Sequence, residues 1–235
     1  MKNKNYCKSM ITIYILVISG MISVALLMTK SVTAMVENTP VHNRTTIVID
    51  AGHGGIDGGA TSKTGVLESK TNLQIALRLR DLCHLLGMKT LMIRTEDISV
   101  YTSGDTISAQ KISDLKERVR IVNECEDCLL ISIHQNYFSD GKYSGAQIFY
   151  NKNARSEELA NTMQTSLIQT LNPGSKRKAK QADGIYLMQK IRTTGLLIEC
   201  GFISNINEDQ LLQTKEYQQK ICMVISSVLS IYLNT

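Results

Sequence analysis

The tightest constraint on this chain is an alternation. Short β-branched or apolar runs recur along it: TIVID (46–50), TLMIR (90–94), LLISI (129–133), AQIFY (146–150), GIYLM (184–188) and GLLIE (195–199). Between them lie stretches with apolar residues at three-to-four spacing, the mark of an amphipathic helix. LQIALRLRDLCHLLG (73–87) ends at Gly87, a fitting helix stop, and DLKERVRIVNE (114–124) leads into the third run. Glu157 to Leu171 and Lys215 to Leu233 complete the set, the last behind a capping Thr214. Strands separated by helices are joined by crossovers, and crossovers make neighbouring strands parallel. The expectation is a single α/β domain, a mostly parallel twisted sheet of about six strands with helices on both faces. Thr95–Ser113 and the basic GSKRKAK (174–180) are its two long irregular stretches.

The N-terminus differs in kind. MKNKNYCK is basic, and Met10 to Thr29 is apolar and uncharged. About 20 such residues can cross a bilayer, more than the usual 7–15 of a signal-peptide core. SVTAM nevertheless places Val32 and Ala34 at the spacing a signal peptidase accepts, so a cleaved signal and an uncleaved anchor both stay open. The chain thus divides into a signal or anchor (1–35), a linker (36–45) and an exported body (46–235), with the membrane as a partner if the anchor persists. This segment also explains the formal net charge of +5, because Lys2, Lys4, Lys8 and Lys30 stand in it without any acid. The body is close to neutral, so nucleic acid is not an expected partner.

Six cysteines, at 7, 83, 125, 128, 200 and 222, lack the spacing of a disulfide framework. Cys125-x-x-Cys128 has no second pair to complete a metal site, and Cys83 and Cys222 fall in helical patterns as small apolar side chains.

Chemistry gathers at the strand ends. TIVID-AGH delivers His53, LLISI-H delivers His134 and GLLI-E ends in Glu199, while Glu68 stands at the start of the first long helix. In an open α/β sheet ligands bind beyond the carboxyl ends of the strands, where parallel strands would bring these groups together. Two histidines and a carboxylate with one open position make a catalytic zinc site, and a further glutamate beside it can move a proton. Zinc fits because it polarises a carbonyl and lowers the pKa of a water without redox chemistry. The glycine-rich VIDAGHGGIDGGA is no phosphate cradle: the third small residue of a dinucleotide fingerprint is missing, no Gly-Lys-Ser/Thr follows, and Asp57 would repel phosphate. His42 and His84 read as solvated or structural.

VIDAGHGGIDGGA, Glu68, SIHQN and IECGFISN, in that order, resemble the zinc-dependent N-acetylmuramoyl-L-alanine amidases of the amidase-3 family. IRTEDISV and DLKERVRIVNE are supporting matches, and the likeness runs from Thr46 to the C-terminus. It implies zinc held by His53, Glu68 and His134, with Glu199 as the acid–base residue acting on peptidoglycan. The compact body is most similar to the sporulation and germination members, which strip peptide stems from spore-cortex glycan so that muramic-δ-lactam can form. The N-terminal segment places the body outside the cytoplasmic membrane, and the likeness adds the space between forespore and mother cell to the candidate locations; whether an activating protein partner is needed stays open. Gly195 stands where many members have a proline shortly before the strand, and Tyr137 where serine or alanine is common. Asp50 is a candidate to orient a ligand. Asn136, Arg94 and Arg192 are candidates to bind substrate, as is Arg118, which on a helix equally suits a salt bridge. Rival readings are another zinc hydrolase of the wall, such as an endopeptidase or deacetylase, and a tethered wall-binding module without catalysis.

Overall fold

The structure, a computed structural model, describes residues 45–234. The apolar run at 10–29, the 1–35 signal or anchor and nearly all of the linker lie outside the described residues. Among the described residues no helix is long and apolar enough to cross a membrane.

Six strands form one sheet: β1 (Thr46–Ala51), β2 (Thr90–Met92), β3 (Cys128–Asn136), β4 (Gln147–Tyr150), β5 (Lys180–Gln181) and β6 (Thr194–Phe202). Their order is β2-β1-β3-β6-β4-β5. β2, β1, β3 and β6 are mutually parallel, β4 runs antiparallel to β6, and β5 pairs parallel with β4. The helices are α1 (Glu68–Leu85), α2 (Ile107–Glu124), α3 (Ala154–Leu171), α4 (Tyr186–Lys190), α5 (Ile206–Leu212) and α6 (Lys215–Leu233).

Side chains alternate between the two sheet faces with period two. Ile47, Ile49, Ile131, Ile133, Leu196 and Ile198 pack with apolar residues of α1, α3 and α6 into the larger core. Val48, Leu130 and Leu197 point the other way, against Val122 of α2 and Leu187 and Met188 of α4. Both faces are therefore covered, as the alternation predicts, and Cys83 and Cys222 are buried in the larger core.

Local chemistry sets the helix ends. α1 stops in a Schellman turn: Gly87 N–H bonds the carbonyl of His84, Met88 N–H that of Cys83, and Gly87 takes φ +75°. Thr214 caps α6 by accepting from Tyr217 N–H at 3.3 Å. Thr214→Ala should therefore lower stability by about 1 kcal/mol, read as a shift in the urea midpoint without a change in slope.

Two expectations fail. GIYLM is not a strand: Tyr186–Lys190 is the short helix α4, whose Leu187 and Met188 fill the smaller core. A five-residue apolar run cannot tell strand from buried helix by periodicity alone. Thr95–Ser113 is also less irregular than its sequence implies, because α2 begins at Ile107, capped by Thr106 accepting from Ala109 N–H.

At the starting edge of the parallel strands, Thr45 donates to Asp127 (2.9 Å), and Thr45, Asp127 and Thr194 line a groove with Tyr232 and Leu233 of α6. The two ends of the described chain meet there.

Candidate active site

The opposite edge carries the polar cluster, and strand parity puts it there. Asp50 follows Val48 on β1, Ser132 and His134 follow Leu130 on β3, and Glu199 follows Leu197 on β6, all on the α2/α4 face. His134 and Glu199 are register partners, so their side chains leave adjacent parallel strands at the same level. His53 arrives differently, on the turn after β1, with φ +61°. It is the one non-glycine residue at positive φ among the described residues. Gly52 has to be glycine because a Cβ there would overlap the His134 imidazole. At Gly59 a Cβ would come within 2.6 Å of Glu68 Oε2 and 2.8 Å of His53 Cδ2. Glu68, the first residue of α1, reaches the edge from the far side of the sheet.

Glu68 joins the two histidines. Its Oε2 lies 3.3 Å from His53 Nε2 and its Oε1 3.1 Å from His134 Nδ1. The same carboxylate accepts from the N–H groups of Ala60 and Gln135, both at 3.1 Å, and from Asn72 Nδ2 at 3.2 Å. The imidazoles meet edge to face with centroids 4.9 Å apart. One ligand-type atom from each of His53, Glu68 and His134 lies within 4.8 Å of the others, so the three could hold a metal ion. Beside His134 on the neighbouring strand, Glu199 keeps one carboxyl oxygen, Oε2, buried and without a hydrogen-bond partner. An orphaned carboxyl oxygen beside a His₂Glu cluster fits a centre that holds a cation and a reacting water.

Electrostatics separate the two glutamates. Burial alone would raise the Glu68 carboxyl, but His134 and His53 hold it well below the usual carboxylate range. Burial pushes Glu199 up to about 7, with Glu68 adding to the rise and the two histidines opposing it. For His53, burial works downward, but the Glu68 and Asp57 carboxylates lift it to about 9. The Glu199 shift has a sign that can be measured. Unfolded, the group ionises near 4.5; folded and metal-free, it keeps its proton up to about 7. Between those values the unfolded chain gains by ionising and the fold does not, so Glu199 costs stability as pH rises, at most about 3 kcal/mol. In chelator, Glu199→Gln should therefore match the parent near pH 4.5 and exceed it in denaturant midpoint at pH 8. Equal midpoints at both values would mean that Glu199 is not a raised carboxyl.

The remaining candidates scatter. Asp50 is buried but bonds no ligand; it accepts from Ser132 Oγ at 2.6 Å and pairs with Arg118. Arg118 also reaches Asp114, the salt-bridge role its helix suggested. Arg94 is 2% exposed and spends its donors on backbone carbonyls, so it does not face a ligand. Arg192 is exposed just before β6 begins, at the sheet edge away from Glu199. Asn136 ends β3 beside a register irregularity, its carbonyl accepting from Ile203 N–H. Cys128 donates to the Cys125 carbonyl, and neither belongs to the metal cluster. In the basic run Lys176, Lys178 and Lys180 are exposed, while Arg177 lies over the Phe202 ring.

The sequence reading missed Asp57 as a partner of His53. Its Oδ2 sits 2.8 Å from His53 Nδ1, and Lys111 holds its other oxygen at 2.8 Å. An aspartate four residues beyond a histidine in a glycine-rich turn was the available signal. A cleft of about 350 Å³ opens beside both histidines, walled by Ile56, Leu115, Ile185 and Tyr186 and edged by Lys111 and Asp57.

A parallel-sheet domain with paired imidazoles, a joining carboxylate and an isolated, protonatable carboxyl, with an open cleft beside the imidazoles, has the layout of a hydrolase that could work with a metal ion. Comparison with known proteins gives the particular family: the chain belongs to the amidase-3 family of N-acetylmuramoyl-L-alanine amidases, which it matches over residues 47–230. It is 41% identical over 181 residues to the germination-specific N-acetylmuramoyl-L-alanine amidase of Bacillus subtilis, covering 76% of each chain. The solved structure of the CwlD amidase from Clostridioides difficile in complex with the GerS lipoprotein matches with a TM-score of 0.77 and 37% identity, over 81% of this chain and 99% of that one. An N-acetylmuramoyl-L-alanine amidase from Clostridium difficile 630 follows at 0.69 and 29%, over 82% and 98%. The family and α/β architecture expected from the motifs are thereby met, and the enzyme is a peptidoglycan amidase.

Proposed function

We propose that this amidase is zinc-dependent and removes peptide stems from spore-cortex peptidoglycan, leaving muramic acid free to form muramic-δ-lactam. The observation that carries the reading is the pairing of a His53–Glu68–His134 cluster with the orphaned carboxyl of Glu199. The cortex assignment draws on the similarity to a relative named germination-specific.

His53, Glu68 and His134 would hold the zinc, which when bound polarises the acyl oxygen and makes a nucleophile available near neutral pH. Glu199 is the proton carrier. Buried beside the cluster with one oxygen free of any hydrogen bond, it can take a proton from the attacking water and return it to the departing nitrogen of L-alanine. Asp57 fixes the His53 ring through Nδ1, leaving Nε2 for the cation. The cleft beside the histidines admits the muramoyl–peptide junction, its apolar wall shielding the reacting centre from bulk water.

An accessory protein belongs to the same reading, because a similar amidase was solved in complex with a lipoprotein. So does a location outside the cytoplasmic membrane, where the substrate lies. The test is to quantify metal in the chain purified without chelator, then digest peptidoglycan and identify products by mass spectrometry. Stoichiometric zinc with stem peptides beginning in L-alanine supports the proposal. Zinc with a different cut bond replaces it by another wall hydrolase, and a chain that takes up no zinc when supplied sinks it.

A further inference from the structure

The turn that presents His53 is held by more buried charge than a turn needs. Three successive carbonyls, those of Ala51, Gly52 and His53, leave the end of β1, and all three accept from guanidinium groups. Arg94 donates to Ala51 (2.8 Å) and Gly52 (3.0 Å). Arg118 donates to Ala51 (3.0 Å) and His53 (2.7 Å). Each arginine is 2% exposed. They come from different places, Arg94 just after β2 and Arg118 from the middle of α2. Arg94 also fastens the turn to its surroundings through the carbonyls of Ser69 and Glu96, both at 2.9 Å.

Arg94 is the telling member. Every hydrogen bond it makes goes to a carbonyl and none to a carboxylate. Taking a guanidinium out of water without a carboxylate partner is costly, so such a placement persists where the donors do something a neutral side chain could not. What these donors reach is the backbone that enters the left-handed conformation at His53, a sparsely populated state for any residue but glycine. A strained conformation at a ligand persists only when its surroundings over-determine it.

We propose that Arg94 and Arg118 are positioning residues, two planar forks that clamp the 51–53 carbonyls and hold His53 with its Nε2 presented to the metal. The inference rests on the metal reading above. A lysine cannot substitute, because one ammonium cannot span the carbonyls that a five-donor plane reaches together.

The test uses the full chain stripped of metal, with Arg94→Lys and Arg118→Lys, both of which keep the positive charge. Zinc affinity is measured by competition with a chromophoric chelator, the cobalt-loaded form is examined by visible absorption, and the metal-free fold is followed by thermal melting. Both variants should fold at the temperature of measurement yet bind zinc about 10–100-fold more weakly, with cobalt bands displaced from those of the parent. A purely structural role would lower the metal-free melt and leave the cobalt bands where they are. Zinc affinity within twofold of the parent, in either variant, overturns the clamp for that residue. Failure of both to fold also overturns it, by assigning the forks to the core and not to the turn. A parent that binds no zinc, with His53→Ala no different, defeats the metal reading itself and so separates the two failures.

Discussion

Glutamine in place of Glu199 is expected to leave the cation site filled while peptidoglycan turnover falls by about 10²–10⁴-fold. The side chain is not part of the His53–Glu68–His134 cluster, so metal content should stay at the parent's level. Glutamine keeps the shape but can neither take nor return a proton. The residue has little else to do in the fold: one oxygen has no partner, and burial opposes its ionisation. Metal stoichiometry by mass spectrometry and product release from wall material, measured on one preparation, give the two readouts. Turnover at the parent's rate would remove Glu199 from the mechanism.

Glu68→Ala should be worse, because Glu68 serves both the site and the fold. Its carboxylate accepts from Ala60 and Gln135 N–H groups and from Asn72, and it stands between the two imidazoles. Alanine strands those buried donors, at about 1–3 kcal/mol for each left unsatisfied. It also removes the one negative ligand from the proposed cation site. No stoichiometric metal, turnover below detection and a lower denaturant midpoint are expected together. A variant that kept its metal would show that the two histidines suffice, and the three-ligand assignment would fall. Glu199→Gln and Glu68→Ala thus separate proton transfer from metal retention, which activity alone cannot do.

How far the residues announced this site depended on where each one sat. His134 and Glu199 directly follow apolar runs and His53 lies on the turn just after one, so the alternation that gave the sheet also put them at one edge. By its local pattern Glu68 could be placed only as a helix start, and its ligand role came from the family resemblance; what makes it central is its reach across the sheet edge, which no local pattern encodes. Arg94 and Arg192 look alike as exposed-type residues beside strands, yet one is buried at the site and the other lies at the opposite edge. A charged residue's destination is set by tertiary partners, here the bare carbonyls at the end of β1. β5 was hidden within a basic run because its two residues are exposed and gain strand form only by pairing with Phe149 and Tyr150. α2 extends further back than its pattern because Ile107 and Ile112 face solvent, which blurs the apolar stripe.

The two ends of the described domain lie together beside Thr45 and Asp127, which determines how the enzyme can be mounted. β1 carries the chain from that groove to the histidine turn in six residues, about 20 Å of extended backbone. A support or fusion partner joined at either end of the domain would therefore lie beneath it, with the cleft facing outward. Immobilised through residue 45 or residue 234, the domain should work on an insoluble wall as an upright tool, its working edge held one strand length clear of the mount.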